Sequence, residues 1–394
     1  MKKRLRHSIT FFVLVPLIRV FLRIKFRYKG IKFKSDKTLK GPYLILSNHA
    51  LALDPFLLSM SFKGPIFFVA SDMIFSIPFW SKIIRYLVSP IPKTKYRSDM
   101  ATVRDMLKMV KSGGTIGLFP EGNATFHGKL MRIDPSVIKL MRLLKVPVLL
   151  YTITGGYLSK PRWAKHSRKG RIEGRVKTVI TPETIKSLSD DALYELVLSH
   201  LTVDEYAFQA KHAIPYKGKA LAEDIESSYF YCPSCHQLHT LTSELDKAKC
   251  TQCDFAVQFL PNGRFKPLYD GPYYETTYPW YKAQEEALKT IIDDPTTDFL
   301  FEDVNEAVLD VERSKRKTPI GQATIRLSKE TFEIAIDGAE SQFIPVNKIQ
   351  ASAQQKNKLI IYDQTSQKTY YFINHPKRNA LKYVMAIDIL KGAN

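Results

Sequence analysis

Apolar positions in this chain gather in short runs. Strand-like runs lie at 43–46, 66–70, 115–119 and 146–153. Between them apolar residues recur three or four apart, as in Met100-Ala101-Thr102-Val103-Arg104-Asp105-Met106-Leu107-Lys108-Met109-Val110, a helical pattern that Gly113-Gly114 ends. The alternation predicts an α/β domain, a mostly parallel sheet with covering helices. Pro182-Glu183 and Ser189-Asp190-Asp191 read as helix starts, the second leading through His200. This domain is expected to close near Tyr216-Lys217-Gly218.

The amino-terminal run, Ile9-Thr10-Phe11-Phe12-Val13-Leu14-Val15-Pro16-Leu17-Ile18, stops at Arg19. A spanning helix needs about twenty apolar residues. Met1-Lys2-Lys3-Arg4 would suit a secretory signal, but Val20-Phe21-Leu22-Arg23-Ile24-Lys25 stands where a small-residue cleavage site belongs. Arg19 and Arg23 share one helical face. Residues 1–30 are therefore expected to form an amphipathic helix in a membrane interface, its basic groups on anionic lipids. That reading places the protein at the cytoplasmic face of a membrane, peripheral or monotopic. Core packing and a short span are the alternatives.

Composition sharpens this. At 394 residues and 45% hydrophobic content the chain suits more than one globular domain. Its net charge of +21 calls for a polyanionic partner: membrane, nucleic acid or an acidic protein. Lys and Arg crowd the amino-terminal stretch up to Lys40 against a single acid, Asp36, and are interleaved with apolar residues. That distribution favours a lipid surface.

The motif Ser47-Asn48-His49-Ala50-Leu51-Ala52-Leu53-Asp54-Pro55-Phe56 follows the first strand-like run. A histidine held by a carboxylate can take a proton from an alcohol near neutral pH. Asp54-Pro55 is also a good helix start, which would leave His49 an ordinary loop residue. The two readings are compatible. A separation of five puts side chains about 140° apart on a continuous helix, so His49 must sit in the turn before it.

Further blocks follow in order: Ile91-Pro92-Lys93-Thr94-Lys95-Tyr96-Arg97, then Phe119-Pro120-Glu121-Gly122, then Val146-Pro147-Val148. With His49-x-x-x-x-Asp54 they resemble, over residues 10–215, the glycerolipid acyltransferase family that includes lysophosphatidate acyltransferases. The resemblance implies His49 as general base on a glycerol hydroxyl and Asp54 as the group orienting it. Attack on an acyl thioester is then direct, and no G-x-S-x-G nucleophile motif is present. Asn48 is expected to position substrate or polarise the carbonyl. Two departures stand out: the family's phosphate-contacting arginine is matched by Lys95, with Arg97 nearby, and the Thr-Arg usual after the glycine is replaced by Asn123-Ala124. Glu121 emerges at a strand end, to hydrogen-bond acceptor hydroxyls or the loop backbone, and Gly122 lets the chain turn close to ligand. The acceptor implied is a lysophospholipid, by family majority 1-acylglycerol-3-phosphate, with another lysolipid or a glycolipid as alternative. The donor is acyl-CoA or acyl carrier protein, an acidic partner that a basic surface suits.

Cys232-Pro233-Ser234-Cys235 and Cys250-Thr251-Gln252-Cys253 use every cysteine in the chain. Two such pairs predict a tetrahedral thiolate site, zinc in preference to iron, closed and therefore structural. Two disulfides are the alternative. His236 and His239 are expected to be bystanders. Charge and zinc together would also suit a nucleic-acid-binding ribbon protein, which leaves the histidine–aspartate turn, the Glu121-Gly122 block and the amino terminus unexplained.

Beyond the ribbon, a helix is expected around Trp280 to Ile292. The basic run Arg313-Ser314-Lys315-Arg316-Lys317-Thr318-Pro319 reads as linker, and short strands follow from about 321 to Ile373 with a closing helix to Leu390. Strands capped by one helix resemble the small barrels of pleckstrin-homology and GRAM modules. The expected order is thus a membrane-interface segment at 1–30, an acyltransferase domain at 31–218, a zinc ribbon at 228–260, a helical linker region at 261–318 and a barrel-like module at 319–394.

Overall fold

Leu44-Ile45-Leu46-Ser47 is buried at every position because the sheet it joins is covered on both faces. In the computed structural model, which describes residues 2–34, 39–71, 90–93, 100–311, 317–354, 357–373 and 379–392, this strand sits near the middle of a seven-stranded sheet. The strands are β1 (Lys29–Gly30), β2 (Leu44–Ser47), β3 (Ile66–Ser71), β4 (Ile91–Lys93), β5 (Thr115–Leu118), β6 (Val148–Thr154) and β7 (Glu173–Ile180). They lie in the order β1-β7-β6-β2-β5-β3-β4. Every ladder is parallel except β6 with β7. The mostly parallel α/β sheet is as expected.

Helices α1 (Lys2–Phe26), α2 (Asp54–Ser59), α3 (Met100–Lys111), α4 (Ser136–Leu144), α5 (Gly156–Ser159), α6 (Pro182–Ser187), α7 (Asp190–Leu201) and α8 (Glu205–His212) belong to this unit. Alternation along each strand splits the core in two. Leu44, Leu46, Phe67, Ile116, Val148 and Leu150 pack with Met106, Met141 and Val197. Ile45, Phe68, Leu149, Tyr151 and Ile153 pack with Phe11, Val15, Leu22 and Leu57. Thr181 and Ser189 cap α6 and α7, accepting the amides of Thr184 and Ala192.

Helix α1 departs from a simple amphipathic pattern. Phe11, Val15, Leu22 and Phe26 are buried, whereas Phe12, Val13, Leu17, Val20, Phe21 and Ile24 are 51–68% exposed. At about 100° per residue the two apolar sets fall on roughly opposite faces. Arg19, Arg23 and Lys25 lie in the seams between them.

The chain divides into two compact units: Met1–Arg162, Ser167–Gly218 and Pro261–Gly263 form the first, and Trp163–His166, Lys219–Leu260 and Arg264–Asn394 the second. In the second, β8 (Leu241–Glu244), β9 (Lys247–Cys250), β10 (Ala256–Phe259) and β11 (Phe265–Pro267) make an antiparallel sheet beside the cysteines. Helix α9 (Thr277–Asp293) holds this ribbon through Trp280, whose indole N–H donates to the Tyr231 carbonyl at 2.8 Å, and Gln284, which bonds Ser228 and Phe230.

The carboxyl-terminal strands are β12 (Phe299–Val311), β13 (Lys317–Ser328), β14 (Thr331–Ile336), β15 (Gln342–Pro345), β16 (Ile349–Gln354), β17 (Lys358–Asp363) and β18 (Thr369–Ile373), followed by α10 (Ala380–Leu390). They order as β15-β14-β13-β12-β18-β17-β16, all antiparallel. Two expectations change. The barrel is not closed, because no ladder joins edge strands β15 and β16 among the described residues; Pro345 and a short turn at Val346–Lys348 separate them. The first strand also arises at 299, inside the stretch read as helical linker, because β12 pairs with both β13 and β18 while its acids obscure the alternation. An ion pair from the buried Lys382 to the partly buried Asp303 at 2.7 Å, with the Tyr383 hydroxyl donating to the same carboxylate, ties α10 to β12.

Candidate active site and metal centre

The turn after β2 is held from four directions. The Asp54 side chain is fully buried, and three donors converge on its Oδ2: the His49 ring Nδ1 at 2.7 Å, the Ala50 amide at 2.6 Å and the Leu51 amide at 3.0 Å. A carboxylate has no proton to give, so Nδ1–H donates, which in the neutral imidazole leaves the lone pair on Nε2. Above the turn, Glu121 Oε1 accepts the His49 amide at 2.5 Å and Oε2 accepts the Met131 amide at 2.6 Å. The His49 carbonyl accepts from the Thr125 amide at 2.9 Å. Phe119 stacks on the imidazole with centroids 4.6 Å apart and planes 27° apart, and Phe68 stacks on Phe119 in turn. His49 retains 20% exposure. The imidazole is thus held in orientation and remains partly exposed.

The other expected residues divide. Asn48 is buried, and its amide clamps Ile153, donating to the carbonyl at 2.9 Å and accepting from the amide at 2.7 Å. It continues the β2–β6 ladder after the backbone of β2 has turned away, and so positions the neighbouring His49. Glu121 bonds the loop backbone, one of its two expected partners. Burial pushes its carboxyl up, to about 8, against the pull of the Met131 and His49 amides, although the residue keeps some open surface. Gly122 adopts φ +70° with open space where a side chain would project, so backbone conformation alone calls for glycine there. Lys95 and Arg97 lie outside the described residues.

A small cleft beneath His49 is lined by Asn48, Glu121, Thr125, Lys129, Val203 and Glu205 among others. Sequence reasoning missed Phe119 as a stacking partner and Glu205 altogether. Glu205 follows Asp204, the cap of α8, and so looks like an ordinary first-turn acid.

Residues 26–154 match the model of the family described as Acyltransferase. This segment is an acyltransferase-family domain. Over 152 residues the chain is 26% identical to the 1-acyl-sn-glycerol-3-phosphate acyltransferase of Borreliella burgdorferi, an alignment covering 36% of this chain and 60% of that protein's length. Among solved structures, the 1-acyl-sn-glycerophosphate (LPA) acyltransferase PlsC from Thermotoga maritima aligns at 21% identity with TM-score 0.38, covering 48% of this chain and 78% of that one. The N-terminal PH domain of human ARAP2 aligns at 8% identity with TM-score 0.19, over 23% of this chain and 80% of that one. The histidine, the aspartate and Glu121 all fall within the acyltransferase domain, and Glu205 falls beyond it.

In the second unit the sulfurs of Cys232, Cys235, Cys250 and Cys253 all lie within 4.8 Å of one another. Cys232 and Cys253 are 3.7 Å apart, Cys235 and Cys250 3.8 Å, and all four are free thiols. Four thiolates about 2.3 Å from a tetrahedral ion stand about 3.8 Å apart, so this donor set fits such an ion, whereas a disulfide needs about 2 Å. The two histidines stand aside: His236 faces the Tyr231 hydroxyl, and His239 stacks on Phe230.

Asn48→Ala should lower stability by about 2 kcal/mol or more, because it leaves the buried Ile153 amide and carbonyl without partners. Urea melts would check this. A loss within a few tenths of a kcal/mol would show that the clamp contributes little.

Proposed function

We propose that this chain is an O-acyltransferase that moves an acyl group from a thioester to the hydroxyl of a lysophospholipid, in the first instance 1-acylglycerol-3-phosphate. The observation that carries the reading is the His49–Asp54 pair, its imidazole partly exposed, within a segment that matches the acyltransferase family. His49 Nε2 takes the hydroxyl proton as the oxygen bonds to the thioester carbonyl carbon. Collapse breaks the carbon–sulfur bond, and the imidazolium returns its proton to the leaving thiolate. Asp54 stabilises the imidazolium without becoming protonated, as in other histidine–carboxylate pairs. Lys95 and Arg97 would hold the acceptor phosphate, and acyl-CoA or acyl carrier protein would supply the acyl group.

His49→Ala should reduce turnover by about 10²–10⁴-fold, the usual contribution of a general base, with little change in thermal melting. Near-normal turnover of a folded variant would remove His49 from the chemistry and sink the assignment.

The exposed apolar face of α1 supports membrane docking. Arg19, Arg23 and Lys63 lie close enough to Lys32 to lower its pKa, after the larger effect of burial, so cations cluster beside that face. No described helix is long and apolar enough to cross a bilayer. The helix would lie along the interface with its cations on anionic headgroups. Replacing Val20 and Ile24 together by Asp should weaken binding to phosphatidylglycerol-containing vesicles at least tenfold in a sedimentation assay, and added salt should weaken the wild type. Unchanged binding would place the docking surface elsewhere.

The four cysteines would hold one zinc ion, which supplies no open coordination position and stabilises the ribbon. Elemental analysis should find about one zinc per chain, and Cys250→Ser should lose it while loosening residues 228–260. Absence of metal from freshly purified protein would overturn this.

A further inference from the structure

Glu205 is 1% exposed, yet nothing in the proposed acyl transfer uses it. Its amide donates to the Gly128 carbonyl at 3.0 Å, and its Oε1 accepts the Gly155 amide at 2.8 Å. It therefore bridges the loop that follows Gly122 and the turn that follows β6. No partner meets ordinary hydrogen-bond geometry at its Oε2 among the described residues, and the Leu158 amide is the second backbone donor near the carboxyl group. A buried carboxyl oxygen without a protein partner is normally satisfied by water or ligand. Glu205 also lines the same cleft as His49, which has room for about one water molecule or one hydroxyl group.

We propose that Glu205 is an acceptor-contacting residue: its spare carboxyl oxygen, bearing the proton, donates a hydrogen bond to the acceptor hydroxyl that His49 deprotonates. The inference rests on the acyl-transfer reading and deepens it. The hydroxyl is then fixed twice, its hydrogen toward Nε2 and one oxygen lone pair toward Glu205, with the other lone pair left for the carbonyl carbon.

The surroundings favour the neutral acid. Burial pushes the Glu205 carboxyl up to about 8, helped by the charges of Asp54 and Asp204 and opposed by the amides of Gly155 and Leu158. Tyr216, whose own hydroxyl feels the Glu205 charge, and Tyr157 also pack near it, and His49, Glu121 and Lys129 share the cleft. Because the folded value is raised, the donor is present below about pH 8 and is lost above it.

The test uses the full chain with 1-acylglycerol-3-phosphate micelles and an acyl-CoA, measuring both KM values from pH 6.5 to 9. For the wild type, acceptor KM should rise about tenfold between pH 7 and 9, following one ionisation. Glu205→Gln keeps the shape, an acceptor for Gly155 and an N–H donor. It should stay within about twofold of wild type at pH 7 and lose the alkaline rise. Glu205→Ala should raise acceptor KM about three- to tenfold at pH 7, the worth of one neutral hydrogen bond, with donor KM unchanged. An alkaline rise that persists in the Gln variant would assign the titration to Glu121 or the lipid and overturn the inference. So would an Ala variant that melts earlier with acceptor KM unchanged; should that variant not fold, the Gln variant decides alone. Transfer that requires His49 but ignores Glu205 defeats this inference only, whereas no transfer by the wild type defeats the proposed function as well.

Discussion

A fully buried carboxylate on a tight turn sets the shape of the first unit's functional end. Taking a charge out of water costs several kcal/mol unless donors replace the lost solvent, and Asp54 offsets part of that cost by gathering a ring N–H and two amides on Oδ2, while Oδ1 has no hydrogen bond among the described residues. Those amides belong to Ala50 and Leu51, so satisfying the charge folds the chain back on itself between His49 and α2. Glu121, Thr125 and Asn48 then fasten that turn to two neighbouring stretches of chain, the loop after β5 and the end of β6. The fold thus presents His49 on backbone that has little freedom left.

The second unit meets a related demand by other means. The ribbon packs its aromatic side chains against α9, where Trp280 is surrounded by the rings of Tyr229, Phe255 and Phe265. Farther along, the buried Lys382 and its partner Asp303 fix α10 to β12, and the rings of Phe301 and Phe332 close over Tyr383. Small cores of this kind gain disproportionately from a metal cross-link, because they bury too little apolar surface to be strongly stable alone.

Much of this was legible in the sequence, for identifiable reasons. The parallel sheet showed because β2, β5 and β6 are buried on both faces and carry near-continuous apolar runs. The His49–Asp54 pairing showed because a histidine and an acid stand five apart ahead of a Pro-initiated helix. The cysteine cluster showed because its members come in close pairs. Other features were hidden. Position 48 gave no sign that its amide would extend a ladder, since that requires knowing that Ile153 lies beside it. Glu205 comes near the base only through tertiary contacts some 150 residues apart in sequence, which no local pattern can register. Strand β12 was missed because Glu302, Asp303, Glu306 and Asp310 break its apolar rhythm, and Glu306 is buried all the same.

The stacking of Phe119 on His49 has a geometric consequence for any molecule the histidine serves. The lone pair of an imidazole nitrogen lies in the plane of the ring, whereas the phenyl group covers a face. The two do not compete: the phenyl group leaves the ring edge uncovered while it keeps water off one face. The ring plane consequently ceases to be a mirror. A carbon bearing the hydroxyl and approaching edge-on finds an aromatic wall on one side of that plane, and its substituents must be sorted accordingly. A single phenylalanine thereby makes the approach handed, so two enantiomers presenting the same hydroxyl would meet different surroundings at the same nitrogen.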